Sequence, residues 1–250
     1  LSVGVEARAR LDGRGTNGAE VEQCVQSKTS GLGEPLPEAI VFGAASCQTA
    51  GHLQIRMRQP DLLSFLPHGE LGGGSGNDIW GWTDPATGRE YALVGESTGT
   101  AFVDISNPVQ PVYLGSLRVH TTTSAWRGIK VFANHAFIVS VAADHGMQVF
   151  DLTQLLTVTP PPVTFAETAH YAGFGSTHTL ALNTRTGFAY AVGTKTCEGG
   201  LHVVDVRTPT SPRAAGCFSL DGYTHETQCV IYEGPDTIYR NREICLNSNE

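Results

Sequence analysis

A short pattern recurs three times along the chain and constrains its fold more than any other feature. Two aliphatic or aromatic residues precede an Asp, and a Pro-containing turn follows. The pattern reads Phe102-Val103-Asp104 with ISNPVQP, Val149-Phe150-Asp151 with Pro160 to Pro162 further on, and Val203-Val204-Asp205 with RTPTSP. The aspartates lie 47 and 54 residues apart. Upstream of each Asp runs a second strand-like segment, at Tyr91 to Gly95, Ala136 to Ser140 and Ala189 to Gly193. Before that comes a third, at Asp78 to Trp82, Arg127 to Val131 and His178 to Leu182. After the turn a fourth short segment follows, clearest at Val112 to Gly115 and Ala214 to Cys217. Four strands per unit, at a period of about 50 residues, is the arithmetic of a propeller blade. One blade cannot bury both of its faces, so neighbours must stack. The Asp closing each third strand is expected to accept backbone N–H bonds in its turn.

A further unit opens at Thr224 to Tyr232, continues through Arg242 to Leu246 and stops at Glu250. The expected fold is therefore all-β: a partial β-propeller of four-stranded blades, three complete and half of a fourth, in a truncated chain. The expected blades span about 72–118, 119–170, 171–220 and, incomplete, 221–250, within a repeat region 61–250. Residues 1–60 show little periodicity and read as a loosely tethered leader. Candidate strands near it are Ala39 to Phe42 and Asp61 to Leu66.

Composition agrees and removes several function classes. With 29 Gly and 13 Pro, the chain is built for many turns between short strands. The net charge of −8, with no basic run, argues against nucleic-acid binding and against an anionic membrane surface. No apolar run approaches the roughly 20 residues of a membrane-spanning helix. The Gly-rich stretch Glu70 to Asn77 lacks the Lys-Ser/Thr of a phosphate loop. No G-x-S-x-G elbow occurs, and Gly173 to Thr177 is not one.

Six cysteines, none in a C-x-x-C pair, point to disulfides and an oxidising compartment. The blade arrangement puts Cys197 between the second and third strands of its unit and Cys217 at the end of the fourth. Both then lie at one rim, so a Cys197–Cys217 bridge is expected. If Tyr232 faces Arg242 across the last hairpin, Cys229 faces Cys245, at the separation of about 4.5–5.5 Å that suits a disulfide. Cys24 and Cys47 remain as a pair that would pin the leader.

The same rim gathers polar and aromatic residues. First-strand starts bring Asp78, Trp80, His120, Trp126, Arg127, His178, His225 and Glu226, and loops bring Asp144 and His145. The candidate ligand or metal residues are His120, His145, His178, His225, Asp78, Arg127 and Glu226. Four imidazoles converging on a channel mouth could bind a divalent metal, which would polarise a carbonyl or activate water. The same residues could equally hydrogen-bond neighbouring blades, because a repeat brings equivalent positions together whatever their chemistry. No catalytic residue is identified. Trp80, Trp82 and Trp126 read as packing residues, and His170 and His202 as strand-surface residues.

Several long words of the chain resemble the choice-of-anchor B family, which carries LVIVD-type repeats. They are DLLSFLPHGELGGGSGNDIWGWTDPATGREYALVG (Asp61 to Gly95), WRGIKVFANHAFIVS (Trp126 to Ser140), HGMQVFDL (His145 to Leu152) and GYTHETQCVIYEGPD (Gly222 to Asp236). The resemblance covers roughly 60–250; one departure is Gly128, where the family has Asp after Trp-Arg. It implies a β-propeller that is extracellular or attached at the cell surface, and no reaction. The leading expectation is a binding or interaction module whose partner is a surface ligand or protein. The alternatives are a metal-dependent hydrolase or oxidase at the channel mouth, and a fragment without independent function.

Overall fold

Which strands lie inside follows from how their apolar residues are spaced, and the middle strands of each unit are apolar almost throughout. The computed structural model describes residues 61–249 and the strand segments 4–6 and 39–44. In chain order the first strands are β1 (Gly4–Glu6), β2 (Ala39–Ala44) and β3 (Asp61–Pro67). They are followed by β4 (Gly76–Thr83), β5 (Glu90–Glu96), β6 (Gly99–Asp104) and β7 (Val112–Arg118). Then come β8 (Arg127–Phe132), β9 (His135–Ser140), β10 (Met147–Asp151), β11 (Val163–Phe165) and β12 (Ala169–Tyr171). The remainder are β13 (Thr179–Asn183), β14 (Phe188–Val192), β15 (Leu201–Asp205), β16 (Arg213–Phe218), β17 (Thr224–Ile231) and β18 (Glu243–Asn249).

Strands β4 to β7 form an antiparallel meander, as do β8-β9-β10-β12 and β13 to β16. β17 and β18 form a two-stranded hairpin, and β1-β2-β3 a separate small sheet. No sheet among the described residues closes on itself. The first strands β4, β8, β13 and β17 lie beside one another in turn, each against the next. β2 pairs with β1 in parallel and with β3 in antiparallel register. The Cys24–Cys47 pairing lies outside the described residues.

Strand β9 shows how the stack is made. Ala136 and Ile138 point one way, into a core with Trp82, Leu93, Phe102 and Leu117 of the first meander. Phe137 and Val139 point the other way, into a core with Leu180, Ala191 and Val204 of the third. Side chains alternate across a strand, so a sheet covered on both faces needs a continuous apolar run. By contrast β17 alternates: Thr224, Thr227 and Cys229 are buried while the residues between them are exposed. One face of that hairpin covers Ala181, Tyr190 and Val192, and the other is open.

The second unit departs from a plain meander. After β10 a short 3-10 turn at Leu152–Thr157 buries Leu152 and Leu155. The chain then lays β11 parallel to β7, as a fifth strand of the first sheet, before returning to its own sheet as β12. Phe165 of β11 meets Phe102 edge-on at 5.4 Å and so seals the first core. This detour accounts for the longer spacing after Asp151.

Each repeated Asp closes its turn as expected. Asp104, Asp151 and Asp205 accept from the backbone N–H two residues on, at 2.9, 3.0 and 3.0 Å. Both expected bridges within the described residues are formed, Cys197–Cys217 and Cys229–Cys245, the latter between directly opposed residues.

Neighbouring first strands are joined by side chains rather than by a ladder. The Asp78 carboxylate accepts from Ile79 N at 2.8 Å and from Ile129 N, on the next sheet, at 2.7 Å. Asn77 Oδ1 accepts from Arg127 N at 2.8 Å. Gly128 holds the place in β8 that Asp78 holds in β4, each one residue before the inward Ile. A Cβ there would stand 3.5 Å from Leu180 N, so an Asp at 128 would face the third sheet as Asp78 faces the second. Asp78→Ala leaves the buried Ile129 N–H without an acceptor and should cost about 1–3 kcal/mol, read from the urea-unfolding midpoint. A loss below about 0.5 kcal/mol would mean that this bond does not join the sheets.

Candidate functional site

The rim residues named from sequence form two groups. The first lies over the junction of the first and second meanders. His120 follows β7, His145 sits in the loop between β9 and β10, and His170 is on β12. The His120 and His170 rings stack at 3.7 Å, and His120 meets His145 edge-on at 6.3 Å. His120 Nδ1 donates to Glu167 at 3.0 Å, and Gln148 Nε2 donates to the other Glu167 oxygen at 3.0 Å. His170 Nε2 donates to the His145 carbonyl at 2.7 Å.

Of this group, His145 is buried, as is Arg127 beside it. Arg127 Nε donates to the Glu96 carbonyl at 2.6 Å, and one terminal nitrogen donates to His145 Nε2 at 3.3 Å. His145 Nδ1 must then carry the ring proton, which it donates to the Gly146 carbonyl at 3.1 Å. Burial first, and then the Arg127 guanidinium, push the His145 imidazole down to about 4. Burial alone pulls the Arg127 guanidinium down to about 10. His68 reaches Glu96 Oε1 at 3.1 Å. Burial raises the Glu96 carboxyl against the pull of that imidazole.

The second group lies where β8, β13 and β17 begin. His178 and His225 bring their rings to 4.1 Å, and Trp126 approaches His178 at 6.5 Å. Trp126 is 53% exposed. His225 and Glu226 are exposed on β17, and Lys130 lies over the Trp80 ring at 4.2 Å. Burial lowers the Lys130 ammonium, while Asp78 and Glu226 act to raise it.

This arrangement revises several expectations. The four histidines expected at one mouth stand as two pairs, His120 with His145 and His178 with His225. Among the described residues no three His, Cys, Asp or Glu side chains are grouped to share a metal ion. Asp78 serves as an inter-sheet acceptor. Trp82 is buried as a packing residue, whereas Trp126, expected to pack, is largely exposed. His202 is 8% exposed rather than on a strand surface. It bridges Thr196 Oγ1 and Tyr171 Oη, each at 2.8 Å, and so ties the second meander to the third.

Glu167 and Gln148 belong to this group without any signal in the sequence, and His170, expected on a strand surface, joins it through β12. β12 has three residues and follows a Pro-rich detour, so no periodic signal marked it. No protein-family model matches the chain, and no curated protein matches it. No helix of the described residues is long and apolar enough to cross a membrane.

The His145 shift sets a pH dependence. Its folded-state value of about 4 lies below the ordinary 6.5, so on acidification the unfolded chain takes up the proton first. The contribution is complete above pH 6.5 and is lost as the pH falls through about 4. It should amount to about 3 kcal/mol in urea unfolding. His145→Gln should flatten the slope between those limits, and an unchanged slope would assign the acid sensitivity elsewhere.

Proposed function

We propose that the chain is a β-propeller binding module working outside the cell or at its surface. Consecutive four-stranded meanders, with their first strands side by side, support reading them as blades. The resemblance of roughly 60–250 to the choice-of-anchor B family supports the same fold and location. Two disulfides among the described residues fit an oxidising compartment.

The observation that carries a binding role is the Trp126, His178 and His225 group. A half-exposed indole beside two close imidazoles offers flat apolar and polar surface at one rim. Large aromatics left exposed in this way are favoured in recognition, because they bring contact area at low entropic cost. The partner is a surface ligand or protein that presents a planar or apolar group to this rim.

A combined glycan and peptide array tests the reading with the wild-type chain and a Trp126→Ala/His225→Ala variant. At least one class should be retained by the wild type and weakened about tenfold or more in the variant, the scale of removing one good aromatic contact. The unfolding midpoint should stay the same, since both residues are exposed. Equal binding by both proteins, or no retained class, would count against a rim binding site.

A further inference from the structure

Among the described residues, Arg127 is a buried cation without a counter-ion. It is 4% exposed, yet among the described residues no carboxylate stands within ion-pair distance of it. Its hydrogen-bond acceptors are a backbone carbonyl and a neutral imidazole, and its second terminal nitrogen, Nη2, is buried with no partner. Glu96 gives it only a main-chain oxygen, because the Glu96 carboxylate is turned to His68. A guanidinium keeps its proton at neutral pH, so it cannot escape the cost of burial by becoming neutral. Leaving such a charge uncompensated is among the most unfavourable arrangements a protein interior can hold.

A second orphan lies in the same layer. Thr100 is 1% exposed, and its hydroxyl is buried without a partner. Thr100 is two residues before Phe102 on β6, and Arg127 is two before Ile129 on β8. Phe102 and Ile129 belong to one core between the first and second meanders, so Thr100 and Arg127 enter that layer at its rim end. Gly95 fixes their closeness. It pairs with Thr100 across β5 and β6, and a Cβ on it would stand 3.5 Å from Arg127 Cβ. Two residues that each carry an unpaired donor, one of them charged, thus flank the same glycine. A water could satisfy the hydrogen bonds but not the charge.

We propose that Arg127 and Thr100 hold a small inorganic monoanion, of the chloride type, between the first and second meanders. The bound ion supplies the missing counter-charge and an acceptor for both orphan donors, and so pins the two sheets at their rim. The site is independent of whether the rim above binds a surface partner.

The test compares thermal unfolding of the full chain in sodium chloride, sodium bromide and sodium gluconate at equal ionic strength. Raising either halide from 1 to 100 mM should lift the midpoint by roughly 5 °C over gluconate. Crystals soaked in bromide should show an anomalous peak in contact with Arg127 Nη2. Arg127→Met removes the charge and should abolish the halide effect. Thr100→Val preserves shape, so it keeps the test open if the Arg127 variant fails to fold, and it should weaken the halide effect. Equal midpoints in halide and gluconate would overturn the proposal. So would an Arg127 environment without an anomalous peak, or a Thr100→Val protein with unchanged halide sensitivity.

Discussion

Two apolar faces on each four-stranded sheet are the constraint from which the rest of this structure follows. A meander such as β8-β9-β10-β12 cannot cover either face by itself. Ile138 and Phe150 must be buried by one neighbour, and Phe137 and Met147 by the other. Each such side chain contributes about 1.5–3 kcal/mol when removed from water. The stack is therefore held from sheet to sheet, and interruption at any interface would expose a whole core. Where the last hairpin provides one covered face, its sequence changes from a continuous apolar run to alternation, and the Cys229–Cys245 bridge joins its two strands.

Face-to-face packing leaves the sheet ends to be joined by other means, and the rim chemistry reflects this. First strands are edge strands of their sheets, so their outward N–H groups need acceptors. Asn77 and Asp78 provide them for Arg127 and Ile129. Arg127 then turns back to the Glu96 carbonyl of the first meander. Much of what resembles a site from composition alone is thus fastening between sheets. On the adjoining junction Trp126 and His225 stay exposed. His202 performs an analogous fastening lower in the stack, between Tyr171 and Thr196.

Repetition made most of the strand order legible in the sequence. The four-segment unit anticipates β4 to β10 and β13 to β18, and the Asp turns close as turn chemistry requires. The opposition of Cys229 and Cys245 followed from counting across a hairpin. The second unit was less readable, because β11 and β12 are three residues each and a proline run hides their period. That concealed Glu167 and the stacking of His170 on His120. Alternation says which face a residue takes but not how far apart two loops stand, so the histidines could be placed on one rim without being resolved into two pairs. The exposure of Trp126 was hidden for a related reason: it precedes β8, where periodicity no longer applies.

The most direct check on this stack is peptide mapping of the disulfides in protein recovered from an oxidising compartment. Peptides joining Cys197 to Cys217 and Cys229 to Cys245 are expected, because the first bridge spans one rim of the third meander and the second fixes the β17–β18 register. Free thiols at these four positions, or Cys217 joined to Cys229 or Cys245, would contradict both the strand register and the compartment.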